Sequence, residues 1–340
     1  MIILGIETSC DDTSVALYKE KKGIICQESY NQSYIHKKYK GIVPNLASKY
    51  HLLKIIPLIK YLLKKSKILI SKINAIAYTA GPGLIGSLLI GSSVANALAL
   101  SLNIPVIPIN HMEGHIFSPF LNKKNHLTYP FISLLVSGKH TNLVLIKKFN
   151  KYKILGKSLD DAAGEVFDKI ATLLEIPYPG AKKLSMLAKK KLNNKFVFPQ
   201  PMLNKPGLNF SFSGLKTHVT NVIKKNENSD QIKANIAFAF EHAIVNTLTI
   251  KCKRAIESTG VTNLLISGGF SKNLYLRKKI NHMMKYFPNS KIYYPDYDLC
   301  TDNGSMIAYV GFLRFKIGKY TVPNNILVFP KLSIEKCDLI

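Results

Sequence analysis

The chain has 340 residues, 47% of them hydrophobic, which excludes one small core and suits two domains of ordinary size. Forty-seven Lys and Arg against 20 Asp and Glu give a formal net charge of +27, which points to a polyanionic partner such as nucleic acid. Only Arg254, Arg277 and Arg314 are arginines, however, while Lys, Ile and Asn are plentiful, so codon bias competes with RNA binding as the source of the charge.

The five cysteines form no CxxC pair and no disulfide framework, which fits a reducing cytosol. Residues 2–7 read as a buried strand, with no basic n-region leading a signal-length apolar core. The polar turn Glu7–Ser14 and the returning strand Val15–Tyr18 follow. A hydroxyl- and carboxylate-rich turn between strands can place N–H groups and acceptors around phosphate or metal, although a plain hairpin loop explains it equally well. Residues 31–43 are polar and irregular. From Pro44 a helix is expected, with an apolar stripe of Leu46, Leu52, Leu53, Ile56, Ile59, Leu62 and Leu63, kinked or divided at Pro57.

Residues 73–110 carry no charged side chain but are broken by Gly81-Pro82-Gly83. They read as strand, turn, tightly packed helix and strand, not as a membrane span. The P-loop lysine is absent, so the glycines there serve packing. Directly after the run Ile104–Ile109 stands His111-Met112-Glu113-Gly114-His115. If Asn110 caps a helix, both imidazoles lie on one face about a turn apart and can share a metal ion. Two His at this spacing also occur on ordinary amphipathic helices.

The opening layout then returns: strand Phe131–Val136, turn Ser137–Thr141, strand Asn142–Ile146. Two such hairpins about 130 residues apart suggest a duplicated α/β domain with a ligand in the cleft between copies. Ser158–Lys169 opens a helix with acids in its first turn. Tyr178-Pro179-Gly180 is a turn, and Phe210–Lys216 carries hydroxyls before a helix. Residues 230–258 form a long amphipathic helix. The strand Asn263–Ile266 leads through Ser267–Asn273 into a helix, a shape that holds nucleoside phosphates against backbone N–H groups. Asp302, before the last helix, is by position an N-cap.

Taken together, GIETSCDDT (5–13), VPNLAS (43–48), AGPGLIGSLLIG (80–91), HMEGH (111–115), LLVSGKHTNL (134–143), DDAAGEVFDK (160–169), FSFSGLKT (210–217), ISGGFSKN (266–273) and TDNGSMIAY (301–309) closely resemble the tRNA N6-adenosine threonylcarbamoyltransferase family, TsaD type. The resemblance implies an α/β fold of two duplicated ribonuclease-H-like lobes of the actin/Hsp70/sugar-kinase type with a central cleft. The N-terminal lobe would span 1–109 plus about 302–340, and the C-terminal lobe 110–301. It also implies that His111, His115 and Asp302 bind one divalent metal per subunit. Two His and one carboxylate leave open positions, an arrangement suited to Fe(II), with Zn(II) the other candidate.

The implied nucleotide site is Leu135, Val136, Ser137, Gly138 and Lys139, with Asp168, Gly180, Ala181 and Asn273; Asp168 would meet ribose hydroxyls. Lys139 and Ala181 replace family glycines. Lys139 would be strained if its φ were positive, and the Ala181 methyl would narrow the approach to the ligand. Asn45 and Asn96 replace charged residues common in the family. The implied reaction moves threonylcarbamoyl from threonylcarbamoyl-AMP to N6 of adenosine 37 in tRNAs reading codons that begin with A. Beyond the metal ligands no catalytic residue is assigned; Asp11 and Asp12 are general-base candidates by proximity. The implied setting is cytoplasmic, with tRNA, an inactive paralogue of the same fold and a small P-loop ATPase as partners and no membrane. Two readings compete: a metallopeptidase, weakened because Met112 stands where the zinc-peptidase pattern has Glu, and a non-catalytic nucleotide-binding scaffold.

Overall fold

The structure is a computed structural model and describes residues 1–340 except Lys123, Lys124, Leu127 and Asn194. It forms two compact units, one of Met1–Leu127 with Pro295–Ile340 and one of Thr128–Tyr294. The lobe boundaries read from the sequence, at 109/110 and about 301/302, do not coincide with these. The segment bearing the His pair packs on the helix Gly304–Lys316, so it lies within the first unit.

The first unit is built from β1 (Ile2–Glu7), β2 (Asp12–Lys19), β3 (Gly23–Asn31), α1 (Ser33–His36), α2 (Pro44–Ser66), β4 (Ala75–Gly81), α3 (Ile85–Leu102), β5 (Val106–Asn110) and α4 (His111–Phe117). Its sheet has the order β3-β2-β1-β4-β5. The first three strands form an antiparallel meander, and β4 and β5 join in parallel. The parallel strands need helical crossovers, and helices on a sheet's faces bury its strands, which is why β1 and β4 read as near-continuous apolar runs. Leu4, Ile6, Val15, Leu17 and Tyr78 pack with Ile55, Ile59 and Leu62 of α2 and Ala95 and Ala99 of α3. The helix Gly304–Lys316 packs on β1, β2 and β4. It sits close because Gly5 lacks a side chain: a Cβ there would lie 2.3 Å from the Gly304 carbonyl oxygen.

Helix α2 differs from the stripe read in the sequence. It runs unbroken through Pro57 and buries Ala47, His51, Ile55, Ile59 and Leu62, while Leu52, Leu53 and Ile56 face solvent. His51 is drawn inward by polar partners: its ring bonds the Thr13 hydroxyl at 2.8 Å and the Cys10 carbonyl at 3.0 Å. Among the described residues α3 alone is long and apolar enough to cross a membrane; here it packs on α2 and β4.

The second unit holds β6 (Phe131–Val136), β7 (Thr141–Lys148), β8 (Lys151–Lys157), α5 (Ala163–Leu173), α6 (Ala181–Ala188), α7 (Ser213–Lys225), α8 (Asp230–Thr259), β9 (Leu264–Ser267), α9 (Leu274–Met284) and β10 (Ile292–Tyr293). The chain then returns to the first unit, whose Gly304–Lys316 helix is α10. The sheet order β10-β9-β6-β7-β8 repeats the first: an antiparallel meander, then two parallel strands beside its first member. The duplication expected from the two hairpins is thus present in topology, with third strands β3 and β8 that the sequence reading did not include. Helix α8 is buried round most of its surface, from Ala234 to Ile256, so it is a core helix and not an amphipathic one.

One helix start also differs from expectation, and another draws its cap from a distant residue. Helix α5 begins at Ala163, so Asp160 and Asp161 precede it and Glu165 is the acid of its first turn. Helix α7 is capped from a distance: Asp160 Oδ1 accepts the Phe212 and Ser213 N–H groups at 2.8 and 3.3 Å.

Candidate metal centre and second-unit cluster

Asn110 ends β5 and caps α4, its Oδ1 accepting from the N–H groups of Met112 at 2.9 Å and Glu113 at 3.4 Å. That start places His111 and His115 one turn apart, with ring centroids 4.7 Å from each other. Asp302 arrives from the other end of the chain. The cap of α10 is Asn303, whose Oδ1 accepts from Met306 N at 2.9 Å, and not Asp302 as its position suggested. Relieved of capping, the Asp302 carboxylate meets His115 Nε2 at 3.1 Å and His111 Nε2 at 3.6 Å.

One donor atom from each of the three lies within 4.8 Å of the others. Donors bonded to one cation at about 2.1 Å are separated by roughly 3 Å or a little more, so the set fits a single ion after small adjustment. The electrostatics agree. Burial, then the charges of Asp302 and Asp11, push the Asp12 carboxyl up to about 8. Carboxylates crowded so closely repel one another, and a cation among them would relieve it.

Glu7, which the sequence reading left out of the site, lies at the end of β1. Its Oε2 is 3.0 Å from His111 Nδ1 and accepts from Thr79 Oγ1 at 2.5 Å, while its Oε1 accepts from Ser9 N at 2.6 Å. Burial acts to raise this carboxyl, but the His111 charge and hydrogen bond outweigh it and hold Glu7 below the ordinary value. Its only sequence signal was a charged residue closing an apolar strand. Glu113, the acid between the histidines, turns away: Arg314 Nε and Nη2 hold its Oε2 at 3.0 and 2.9 Å in a buried ion pair.

The remaining expected residues all fall in the second unit. Leu135 and Val136 end β6, and Ser137, Gly138 and Lys139 form the turn after it. The turn is bracketed by two glycines outside the expected set. A Cβ at Gly164 would lie 2.5 Å from Ser137 O, and one at Gly268 2.4 Å from Val136 O. Lys139 has no positive φ, so it carries no strain there, and its N–H donates to Ser137 Oγ at 3.3 Å.

Asp168 Oδ1 accepts the N–H groups of Gly180 and Ala181 at 2.9 and 3.0 Å, anchoring the start of α6. Burial raises its carboxyl, against the pull of these two bonds. Asn273 is likewise engaged. Its Oδ1 caps α9 at Leu276 N (2.7 Å), and its Nδ2 donates to Ser185 Oγ (3.0 Å) and Glu241 Oε1 (2.6 Å). Helix α6 therefore links Asp168 at its start with Ser185, Asn273 and the buried Glu241.

Two copies of one mixed sheet define a protein of the actin/Hsp70/sugar-kinase fold, carrying in its first unit a His–His–carboxylate cluster able to hold a metal. Solved structures share the fold. T. kodakarensis HypF matches with a TM-score of 0.63 at 15% identity, over 96% of this chain and 49% of that one. The activator of 2-hydroxyisocaproyl-CoA dehydratase from Clostridium difficile, with bound ADPNP, matches with 0.55 at 12% identity, over 94% and 97%.

The family model for TsaD, tRNA N6-adenosine threonylcarbamoyltransferase, matches residues 23–309. A tRNA N6-adenosine threonylcarbamoyltransferase of Wigglesworthia glossinidia brevipalpis is 52% identical over 336 residues, 98% of each chain. The chain belongs to this family and is a tRNA-modifying transferase.

Proposed function

We propose that the chain transfers threonylcarbamoyl from threonylcarbamoyl-AMP to N6 of adenosine 37 in tRNAs reading codons that begin with A. The observation that carries this reading is the convergence of His111, His115 and Asp302 within 4.8 Å in a member of a transferase family. N6 attacks the carbamoyl carbon, the new C–N bond forms, and the C–O bond to phosphate breaks. AMP leaves with the electron pair, and N6 loses a proton.

The acceptor lone pair is delocalised into the base, so attack needs close positioning and a more electrophilic carbon. A bound divalent metal supplies Lewis acidity towards the donor's phosphate or carbamoyl oxygen. Two neutral imidazoles and one carboxylate with positions left open suit Fe(II) first and Zn(II) second. We assign the AMP end of the donor to Leu135, Val136, Ser137, Gly138, Lys139, Asp168, Gly180, Ala181 and Asn273. Turn N–H groups there would meet the phosphate charge, and Asp168, whose Oδ1 is committed to α6, would offer Oδ2 to ribose. Asp11 or Asp12 would take the N6 proton.

The lysine-rich surface would serve the RNA backbone. The partners would be an inactive paralogue of the same fold and a small P-loop ATPase, in the cytoplasm. The exposed Leu52, Leu53 and Ile56 of α2 and Ile85 and Leu89 of α3 give the paralogue an apolar surface to cover.

A metallopeptidase is disfavoured by Glu113, which is spent on Arg314 and is no base. The deciding assay combines purified partners, threonylcarbamoyl-AMP and unmodified tRNA, with mass spectrometry of the nucleosides. Threonylcarbamoyladenosine should form. Peptide cleavage without it would favour the peptidase, and full modification after alanine replaces all three ligands would favour a scaffold.

A further inference from the structure

We propose that Glu7 is a positioning residue of the metal centre, holding His111 in the tautomer that directs Nε2 at the cation. The proposal rests on the His111–His115–Asp302 reading above. Glu7 is fully buried, and three donors from different parts of the first unit converge on it. Thr79 of the neighbouring strand β4 and the Ser9 N–H fix the carboxylate at 2.5 and 2.6 Å, so it cannot swing away from His111 Nδ1 at 3.0 Å. An ionised carboxylate only accepts hydrogen bonds, so the nitrogen facing it must carry the hydrogen. In a neutral ring the lone pair is then on Nε2, the atom that looks towards Asp302 at 3.6 Å.

A carboxylate behind a metal-bound imidazole also raises the ring's basicity and adds negative charge without using a coordination position. His115 is different. Its Nδ1 is buried with no hydrogen-bond partner, so its ring has no such anchor. One ring ligand is thus preset by a carboxylate, and the other is held only by packing and by Asp302.

The test is made on the full chain, as wild type, Glu7→Gln and Asp302→Ala, with Zn(II) as the probe. Zinc dissociation constants come from competition with a chromophoric chelator. The His111 tautomer comes from long-range 15N correlation spectra of the metal-free, histidine-labelled protein. Metal-free wild type should show hydrogen on His111 Nδ1, and Glu7→Gln should bind zinc about 10- to 100-fold more weakly.

Zinc affinity within twofold of wild type in Glu7→Gln overturns the proposal alone. Hydrogen on His111 Nε2 in the wild type does so too, and it decides the matter if the variant fails to fold. Wild type that binds zinc no better than Asp302→Ala overturns the metal reading itself.

Discussion

The two units repeat one frame down to single residues, yet they fill it with different chemistry. Glu7 closes β1 opposite Ser14, and Val136 closes β6 opposite Thr141. Ser14 Oγ accepts Gly304 N at 2.8 Å at the start of α10, and Thr141 Oγ1 accepts Ala163 N at 3.0 Å at the start of α5. A glycine from the turn after the parallel neighbour closes on each hairpin: Gly83 on Ser9 and Gly268 on Val136. Two residues before each of those helices stands an aspartate, Asp302 or Asp161. The first meets two imidazoles, whereas the second pairs with Lys216 and Lys169. The shared part is backbone geometry, fixed by hydrogen bonds and glycines. The differing part is which side chain stands on it: a carboxylate and His pair suited to a cation in one unit, and in the other a Ser-Gly-Lys turn whose Ser137 hydroxyl accepts the Lys139 and His140 N–H groups.

The largest effect should separate the two aspartates. Asp302→Ala removes one of three donors and should abolish stoichiometric metal binding, with tRNA modification falling at least about 100-fold. Asp161→Ala breaks partly exposed ion pairs with lysines, so it should cost about 1 kcal/mol or less and leave metal content unchanged. Metal analysis and urea unfolding of both variants check the contrast. Equal metal loss in both would mean that the equivalent positions are not chemically distinct.

The buried acids offer a second, smaller contrast. Glu7 is held below its ordinary value by His111, whereas Glu241 is raised above 4.5 by burial, against its bonds to Ser185 and Asn273 and the Lys189 charge. Between 4.5 and its raised native value, native Glu241 keeps a proton that the unfolded chain has lost. Native protein then binds more protons than unfolded protein, so stability falls as pH rises through that window. Glu241→Gln retains an acceptor for Asn273 and should flatten this fall in urea unfolding measured as a function of pH. An unchanged pH profile would place the titrating group elsewhere.

How much of this was legible in the sequence depends on the distance over which each feature is determined. The His pair and its Asn110 cap are fixed within six residues, so spacing marked them as candidates, and the family resemblance rather than the spacing joined them to Asp302 as metal ligands. The hairpins were legible because both faces of β1 and β6 are buried and leave unbroken apolar runs. β3 was not, because most of its residues are half-buried and lack that contrast. Glu7 could not be assigned, because its role requires β1, β4 and β5 to lie side by side, and strand order is not written locally. Asp302 looked like a cap because Asn303, one residue on, competes for the same task and takes it. The stripe on α2 misled because His51, polar in sequence, is buried against Thr13 and Cys10, which turns the helix away from Leu52 and Leu53.

The smallest effect should come from the second unit's own departure from the family pattern. Glycine at position 139 would be required only if the turn needed a left-handed conformation. Lys139 does not adopt one, and the neighbouring Gly138 has no atom within 4 Å of where a Cβ would stand. The turn therefore accepts a side chain without strain. Lys139→Gly releases none and only adds freedom to the unfolded chain, so stability should drop by about 0.4–1 kcal/mol. A stabilised Lys139→Gly variant would show that the lysine is strained after all. The hairpin turn would then be the one place where the two frames differ in backbone as well as in chemistry.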